Sequence, residues 1–287
     1  SAVWQIVSMI SADIAKLPLS PYSRTTDDTG EEVGKKINKT HPAWRLLRKQ
    51  ANEYQPSYNF RKAMMFCALM CNNSYAYIER RGNRPVAMRL LNPLKTGFKQ
   101  AGRDIYIESS DNLQGRQERY ELVDIVHIAG PSWDGFEGLD IIRYARDTFG
   151  MALAAQRFTS RFFKNGVQAG GFLELPFGAT KKQADALEEG FYKKFHNTEN
   201  HFRTLVLRDG AKWQPNTFNA KDADLKELRN QAKVDVCNFY NVNPAKVGVP
   251  GYSSYNSQYQ ANREYLDNCL STHMENESSA YEPKLLS

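Results

Sequence analysis

The chain has 287 residues, of which 41% are hydrophobic and 24% charged, an ordinary globular composition with enough material for one large or two modest cores. No stretch approaches the roughly 20 uncharged apolar residues of a membrane-spanning helix, so we expect a soluble protein. The formal net charge is +6, but Lys and Arg are spread along the chain, which excludes a basic nucleic-acid-binding arm and favours passing contact with phosphates.

The N-terminal segment predicts a short amphipathic helix. The chain starts without a basic leader or an initiator Met, so we expect it to lie inside a longer gene product. Apolar residues then recur at helical spacing over 2–16, and Pro18 ends the run. These residues are Val3, Ile6, Val7, Ile10 and Ile14. Residues 24–41 are polar and contain Gly30 and Gly34, so they predict an exposed loop or a hairpin tip.

Two further helices are predicted before residue 71, one from Pro42 to about residue 50 and one over 58–70. Cys67 and Cys71 lie four residues apart on the apolar side of the second helix. No histidine or second cysteine pair stands near them in sequence, so buried thiols are favoured over a metal site. Four sparse cysteines predict neither a disulfide framework nor a zinc ribbon, and they fit a reducing, intracellular setting. They are Cys67, Cys71, Cys237 and Cys269.

The pattern changes between residues 75 and 128 to short β-like runs that are separated by turn residues. We therefore predict a mostly antiparallel sheet region. The predicted strands cover 75–79, 85–91, 104–108, 118–122 and 125–128.

A long, one-sided helical pattern follows over 138–164 and ends at Asn165-Gly166, a typical C-terminal stop. The next residues, 166–218, predict a compact α/β insert between two helices. The insert holds Gly170-Gly171, a helix over 181–195 that Thr180 opens, and three strands. The strands are predicted at 172–175, 204–207 and 212–214.

The second helix of this pair is predicted over 220–240. Its apolar residues alternate at spacings of three and four, which forms a heptad-like seam with charges on the other faces. Such a seam packs on one neighbour and leaves helix surface for another. The seam consists of Leu225, Leu228, Ala232, Val236 and Phe239.

Residues 243–257 carry two prolines, two glycines and almost no charge, a composition that predicts a mobile loop without regular structure. The last predicted helix runs over 258–277, with Asn256 or Ser257 as its cap.

Four common sequence motifs of catalytic and nucleotide-binding sites are missing from the sequence. It contains no phosphate-binding loop, dinucleotide fingerprint, H-E-x-x-H or G-x-S-x-G motif, which argues against an ATPase. His196 and His201 with Glu199 could bind a metal weakly, but a polar turn is favoured. Acidic pairs lie in polar runs or at a helix start, where acids favour the helix dipole. They are Asp27 with Asp28, Glu31 with Glu32, and Asp222 with Asp224. We predict no catalytic residue, metal or cofactor.

A series of short segments stands out along nearly the whole chain. They are 2–19, His41-Pro42 with Leu46-Leu47, 73–78, 90–93, 124–127, 135–139 with 141–147, 162–166 with Gly170-Gly171, and 242–244 with the helix that follows. In this order, they resemble successive landmarks of the phage portal protein family. The chain departs from the family pattern at two places. The family often has Gly-Asn where this chain has Asn72-Asn73, and Gly-Val-Pro-Pro where it has Asn241-Val242-Asn243-Pro244.

The resemblance implies an α+β portal-like fold in which a mixed helix and sheet wing precedes two stem helices. A small α/β clip lies between the stems, and a tunnel loop joins the second stem to a long C-terminal wing helix. The implied domains are the wing at 1–139, the first stem at 140–165, the clip at 166–218, the second stem at 219–242, the tunnel loop at 243–257 and the long helix at 258–287. We expect the chain to lack the crown that usually follows.

The resemblance also implies the function. About twelve subunits would form a ring at one capsid vertex, through which double-stranded DNA is packaged and ejected. The clip would meet the terminase motor and later the head–tail adaptor, with the major capsid protein around the wing. The protein would assemble in the host cytoplasm and belong to the virion, with no membrane partner.

We interpret 243–257 as a loop that touches the DNA backbone without reading bases. Polar side chains and one charge per subunit allow weak contacts, and DNA in transit must not be held in one register. The residues are Lys246, Tyr252, Ser253, Ser254 and Tyr255. The alternative for the loop is an ordinary surface turn.

Two other classes of protein stay open from the sequence. A metal-dependent nuclease would need clustered carboxylates, which the sequence does not assemble. A non-catalytic scaffold or adaptor that binds only protein would form a small oligomer without a DNA channel.

Overall fold

The structure is a computed structural model. It describes residues 2–26, 32–110, 116–139, 146–165, 171–175, 180–182, 184–186, 189, 212–215, 225–251 and 255–286. The chain forms two compact units, one of residues 1–147 with 236–287 and one of residues 148–235. Helices and strands are mixed, so the predicted α+β class is confirmed. Over the described residues, none of the helices combines the length and apolar character needed to cross a membrane.

Three helices open the first unit at the predicted places. They are α1 (Ala2–Lys16), α2 (Pro42–Arg48) and α3 (Ser57–Cys71). Four of the five residues that predicted α1 are buried, namely Ile6, Val7, Ile10 and Ile14, and α1 packs against α3. The His41 side chain caps α2 by accepting the Ala43 N–H at 3.2 Å.

Strands β1 (Tyr22–Thr26) and β2 (Glu32–Ile37) form an antiparallel two-stranded ribbon. The Asn38 N–H donates to the Pro21 carbonyl oxygen at 2.8 Å and closes its base. Residues 24–41 were predicted to form an exposed loop or a hairpin tip. The hairpin is present, but 24–26 and 32–37 are strand, and residues 27–31 lie outside the described residues.

Two three-stranded antiparallel sheets follow, with strand orders β4-β3-β8 and β5-β6-β7. The strands are β3 (Asn73–Arg81), β4 (Arg84–Leu91), β5 (Thr96–Ala101), β6 (Asp104–Ser109), β7 (Glu118–Tyr120) and β8 (Ile125–Ala129). Sequence reasoning missed β5, whose run Thr-Gly-Phe-Lys-Gln-Ala has one large apolar residue and no alternation. The predicted strand 118–122 ends at Tyr120 because Leu122–Asp124 forms a 3-10 turn. Tyr75, Leu91, Ile107 and Ile125 form a buried cluster between the sheets.

The long C-terminal helix is interrupted by one wider turn. It consists of α6 (Tyr255–Glu264), a π-helical turn (Tyr265–Leu270) and α7 (Ser271–Leu285). It therefore extends beyond the predicted 258–277 at both ends. The Lys284 ammonium donates to the Leu122 carbonyl oxygen at 2.6 Å, so the end of α7 is fastened beside β8.

A buried ion pair joins α7 to the N-terminal helices. The Arg61 guanidinium donates to both carboxylate oxygens of Glu277, from Nε at 2.8 Å and from Nη2 at 2.7 Å. It also donates to the carbonyl oxygens of Leu17 at 2.7 Å and Ile14 at 3.1 Å, at the C-terminal end of α1. Both charged side chains are at most 4% exposed. One arginine on α3 thus connects three helices.

The second unit contains most of α4 (Arg146–Asn165) and the strands β9 (Gly171–Glu174) and β10 (Lys212–Pro215), which pair antiparallel. The described residues of the predicted helix 181–195 are helical, and the Ala184 N–H donates to the Thr180 carbonyl oxygen at 3.2 Å. The predicted strand 204–207 lies outside the described residues. The expected helical start at 138 was wrong, because Gly138 and Leu139 are not helical; 140–145 are outside the described residues.

The expectation of irregular structure throughout 243–257 was also wrong. Helix α5 (Leu225–Phe239) is followed by a 3-10 turn (Pro244–Val247), and α6 already begins at Tyr255. Asn243 caps the 3-10 turn by accepting the Ala245 N–H at 3.0 Å. Proline favours a first helical position, and burial of Val247 fixes the turn against the core. The prediction from composition missed this local capping.

Candidate functional site

The segment predicted to touch DNA, 243–257, begins with the ordered 3-10 turn Pro244–Val247, which we call the loop base. The Lys246 ammonium lies 4.7 Å from the centre of the Tyr265 ring, in the π-helical turn. The Tyr265 hydroxyl donates to the Asp13 carboxylate at 3.2 Å, and burial raises the pKa of that hydroxyl well above its ordinary value. Lys246 therefore belongs to the contact between the loop base and the long helix.

The remaining predicted loop residues lie beyond this base. Tyr252, Ser253 and Ser254 are outside the described residues, and Tyr255 is the first residue of α6, its side chain not described. Their contact with DNA stays a prediction.

Asparagines fix the path of the chain from α5 into the loop. Asn241 has the left-handed φ of 53°, which asparagine tolerates better than most residues, and its Nδ2 donates to the Asn268 carbonyl oxygen at 2.9 Å. The Asn243 Nδ2 donates to Glu264 at 3.3 Å. A small cavity of about 180 Å³ lies here, lined by Asn238, Asn241, Val242, Asn243, Pro244, Glu264, Tyr265 and Asn268. The departure from the family pattern at 241–244 thus coincides with a side-chain-supported turn.

The predicted stem seam is described only in part. Val236 is buried, Ala232 is half-buried and Phe239 is exposed, whereas the side chains of Leu225 and Leu228 are outside the described part. Tyr240 follows the helix, and its hydroxyl donates to the Leu69 carbonyl oxygen at 3.4 Å. The packing of this seam on a neighbour stays a prediction.

A second functional feature was missed from the sequence, namely a junction where the sheet meets the segment leading to α4. The Asn73 side chain and the Gly138 backbone exchange two hydrogen bonds, from Nδ2 to the carbonyl oxygen at 2.9 Å and from the Gly138 N–H to Oδ1 at 2.8 Å. Asn72 has a left-handed φ of 58°, and its Nδ2 donates to the Pro131 carbonyl oxygen at 3.0 Å. The Gly130 N–H donates to the Asn72 carbonyl oxygen at 2.9 Å.

Glycine is required at two positions of this junction by close approach. A Cβ atom at Gly130 would clash with the Asn72 side chain, and one at Gly138 would clash with the Asn72 carbonyl oxygen. Three segments that carried the family resemblance, 73–78, 124–127 and 135–139, therefore meet at one hydrogen-bonded point. No local sequence signal could have found the pairing, because its partners are 65 residues apart.

His127 supports the junction from within the sheet. Its ring stacks on Tyr75 at 4.5 Å and meets the edge of Phe98 at 5.0 Å. Its Nε2 lies 3.0 Å from Asn73 Oδ1, which only accepts, so this nitrogen carries the proton. Burial lowers the pKa of His127 to about 4. The imidazole is therefore neutral at pH 7.

We expect His127 to make folding stability fall with acidity. Its pKa is about 4 in the fold and near 6.5 when unfolded, so the unfolded chain binds the proton more readily between these values. Stability should be complete above about pH 6.5 and decrease by up to about 3 kcal/mol towards pH 4. Urea unfolding of His127→Gln should show a weaker loss between about pH 7 and 4.5 than the parent chain. An equal loss would assign the effect to other groups such as His273, whose pKa burial also lowers.

The groups that the sequence offered as metal ligands or acid–base pairs are described only in part. Within the described residues, no group of three or more His, Cys, Asp or Glu side chains is placed to hold a metal ion. Cys67 is half-buried, and burial raises the pKa of its thiol to about 11, which leaves it protonated at neutral pH. Most of the acidic pairs and the set His196, Glu199 and His201 are outside the described residues. The exception is Glu32, which begins β2 but whose side chain is not described.

A sequence model of the phage portal protein family matches residues 1–287, so the chain belongs to the phage portal protein family. The resemblance drawn from short segments is thereby confirmed.

Individual relatives agree with this family. The chain is 28% identical to the portal protein of Enterobacteria phage HK97 over 254 residues, which are 86% of this chain and 57% of that protein. It is 25% identical over 253 residues to the probable portal protein of Streptomyces phage phiC31, covering 85% of this chain and 54% of the relative. The chain thus spans somewhat more than half the length of these curated relatives.

The fold is also similar to that of a solved particle component. A chain in the neck of a native gene transfer agent particle, computed with C12 symmetry, matches with a TM-score of 0.66 and 19% sequence identity. The match covers 100% of this chain and 78% of that chain. The portal-like fold class is confirmed.

Proposed function

We propose that this chain is a portal subunit which forms a ring at one capsid vertex, through which double-stranded DNA is packaged and ejected. The observation that carries the proposal is the family match along all 287 residues. The similar neck structure with C12 symmetry supports a ring of about twelve copies. The protein acts structurally, without catalysis or a cofactor, and its place is the virion after assembly in the host cytoplasm.

The domain division supports partner roles along the chain. Residues 1–139 and 258–287 form the wing, which faces the major capsid protein; 140–165 and 219–242 form the stems. The clip at 166–218 docks the terminase motor during DNA loading and the head–tail adaptor afterwards. The first compact unit joins residues 1–147 with 236–287, which agrees with a wing built from both ends of the chain.

The tunnel loop at 243–257 lines the DNA path. The cation–π contact holds Lys246 at the loop base, so we assign the outer contacts with DNA to Tyr252, Ser253, Ser254 and Tyr255. Hydroxyl groups offer weak hydrogen bonds to phosphates, which lets DNA move past without a preferred register. The buried Val247 and Val249 anchor the loop base to the core.

The first test is the mass and negative-stain image of the purified chain. A ring of about twelve subunits with a central hole wide enough for a duplex supports the proposal. A closed dimer without a pore would favour a protein-binding scaffold instead. Metal-dependent nuclease activity in the same preparation would contradict a purely structural role.

Deletion of residues 252–254 is expected to leave ring formation unchanged and to reduce the amount of DNA retained in filled heads severalfold, because the loop supplies the contacts that restrain DNA. The measurement is the DNA content of particles assembled with the shortened chain. Val247→Ala serves as a control that weakens the base without shortening the loop. Normal DNA loading and retention by the shortened chain would remove the loop from the DNA path.

A further inference from the structure

The ribbon of β1 and β2 receives little support from its own unit. Two-stranded hairpins are marginally stable alone, and exposed strand edges invite pairing or covering by another surface. Residues 23–25 and 34–37 are all exposed, and the ribbon's main contacts are between its own strands. The ribbon is therefore a candidate for burial by a partner.

One face of the ribbon combines apolar and cationic side chains. Tyr22 lies opposite Ile37 in the strand register, and Arg24 lies opposite Lys35, so these four residues share one face. We name them the ribbon face. Tyr22 is 52% exposed and Ile37 is 44% exposed. Lys36, opposite Ser23, lies on the other face.

A complementary face runs along the C-terminal helix. Leu266 is 47% exposed and Met274 is 39% exposed, and each is followed by an exposed acid, Asp267 and Glu275. The two members of each kind are eight residues apart, which is about one residue more than two turns of α-helix. The π-helical turn accommodates this additional residue, so both pairs lie on the same side of the helix. These four residues form the helix face.

The two faces match in both apolar and charged content. The ribbon face offers an apolar pair beside Lys35 and Arg24, of which Arg24 already has an interaction of its own, and the helix face offers an apolar row beside an acidic row. Asp267 already pairs with Arg263 at 3.6 Å, in an exposed contact that costs little to rearrange. Both faces belong to the first compact unit, so one copy of that unit carries both halves of the match.

We propose that the ribbon face of one copy docks on the helix face of the next copy in the ring. This inference rests on the proposed ring, because a cyclic assembly of more than two copies needs two different, complementary surfaces on each subunit. The partner of each face is a second copy of this chain, because the charges of the two faces are complementary. The π-helical turn thereby acts as the element that sets the spacing of the docking face.

Lys35→Glu tests the ribbon face, and Lys36→Glu is a matched control with the same charge change on the neighbouring residue and the opposite face. We expect Lys35→Glu to raise the concentration for half-maximal ring assembly about tenfold, because like charges then face each other. Lys36→Glu should leave assembly within about twofold of the parent chain. Mass photometry over a concentration series measures both, and circular dichroism checks that each variant is folded.

Charge exchange completes the test. Glu275→Lys alone should weaken assembly as Lys35→Glu does, and the chain with both changes should regain most of it. Equal effects of Lys35→Glu and Lys36→Glu, or no effect of either, would overturn the docking proposal while rings of the parent chain still support the proposed function. A parent chain that forms no ring would instead contradict the proposed function itself.

Discussion

Replacement of Gly138 by alanine is expected to destabilise the first compact unit by about 3 kcal/mol. The new Cβ atom would clash with the backbone carbonyl oxygen of Asn72, which cannot move aside as a flexible side chain could. Relief of the clash requires a shift of Gly138 and therefore loss of one or both hydrogen bonds to Asn73, at 2.8 and 2.9 Å. Urea unfolding of the purified chain measures the change.

Gly97→Ala is the matched control for this substitution. Gly97 lies on β5 near the same segment, and a Cβ atom there would meet only the Glu137 side chain, at an ordinary 3.7 Å. We expect a change within about 0.5 kcal/mol. If the two substitutions lower the free energy of unfolding equally, the close approach at Gly138 is not what stabilises the junction.

Replacement of Arg61 by methionine is expected to cost about 4 kcal/mol, the largest effect of a charge removal in the described residues. The change leaves the Glu277 carboxylate buried without its cation, and truncation of one partner of a buried pair is strongly destabilising. It also removes the donors to the Ile14 and Leu17 carbonyl oxygens at the end of α1. Urea unfolding again measures the change, and the circular dichroism signal of α-helix monitors it.

Arg89→Met is the exposed counterpart of that substitution. Arg89 donates to Glu79 at 2.9 Å, but both side chains are more than 40% exposed, so we expect a loss below about 1 kcal/mol. The double change Arg61→Met with Glu277→Met should recover more than half of the single loss, because no buried charge then remains unpaired. Failure of the double change to recover stability would assign the loss to α1 rather than to the ion pair.

Periodicity predicted most of the elements because their patterns are local. Helix α1 matches its prediction over Ala2–Lys16, and the strands around Tyr75 and Ile125 lie where alternation placed them. Strand β5 was missed because Phe98 alone does not define a period. The π-helical turn was missed because a single additional residue changes the phase of a helix without a signature in composition.

The contacts that matter for the candidate site were beyond sequence reasoning for a different reason. Asn73 and Gly138 are 65 residues apart, and Arg61 and Glu277 are 216 residues apart. Asparagine, glycine and arginine are common in loops and on surfaces, so residue type alone gives them no partner. The family resemblance gave the order of the segments, whereas the hydrogen bonds between them are formed only in the folded chain.

The Asn73 and Gly138 pair has a mechanical consequence. Two hydrogen bonds side by side fasten Gly138 to the side chain of Asn73, the first residue of β3, before the chain continues towards α4. The Gly130 N–H bond to the Asn72 carbonyl oxygen extends the pairing of β3 with β8 by one residue. A pull on the chain from beyond Gly138 therefore reaches β3 through Asn73, and residues 131–137 carry little of the load until these two bonds have broken.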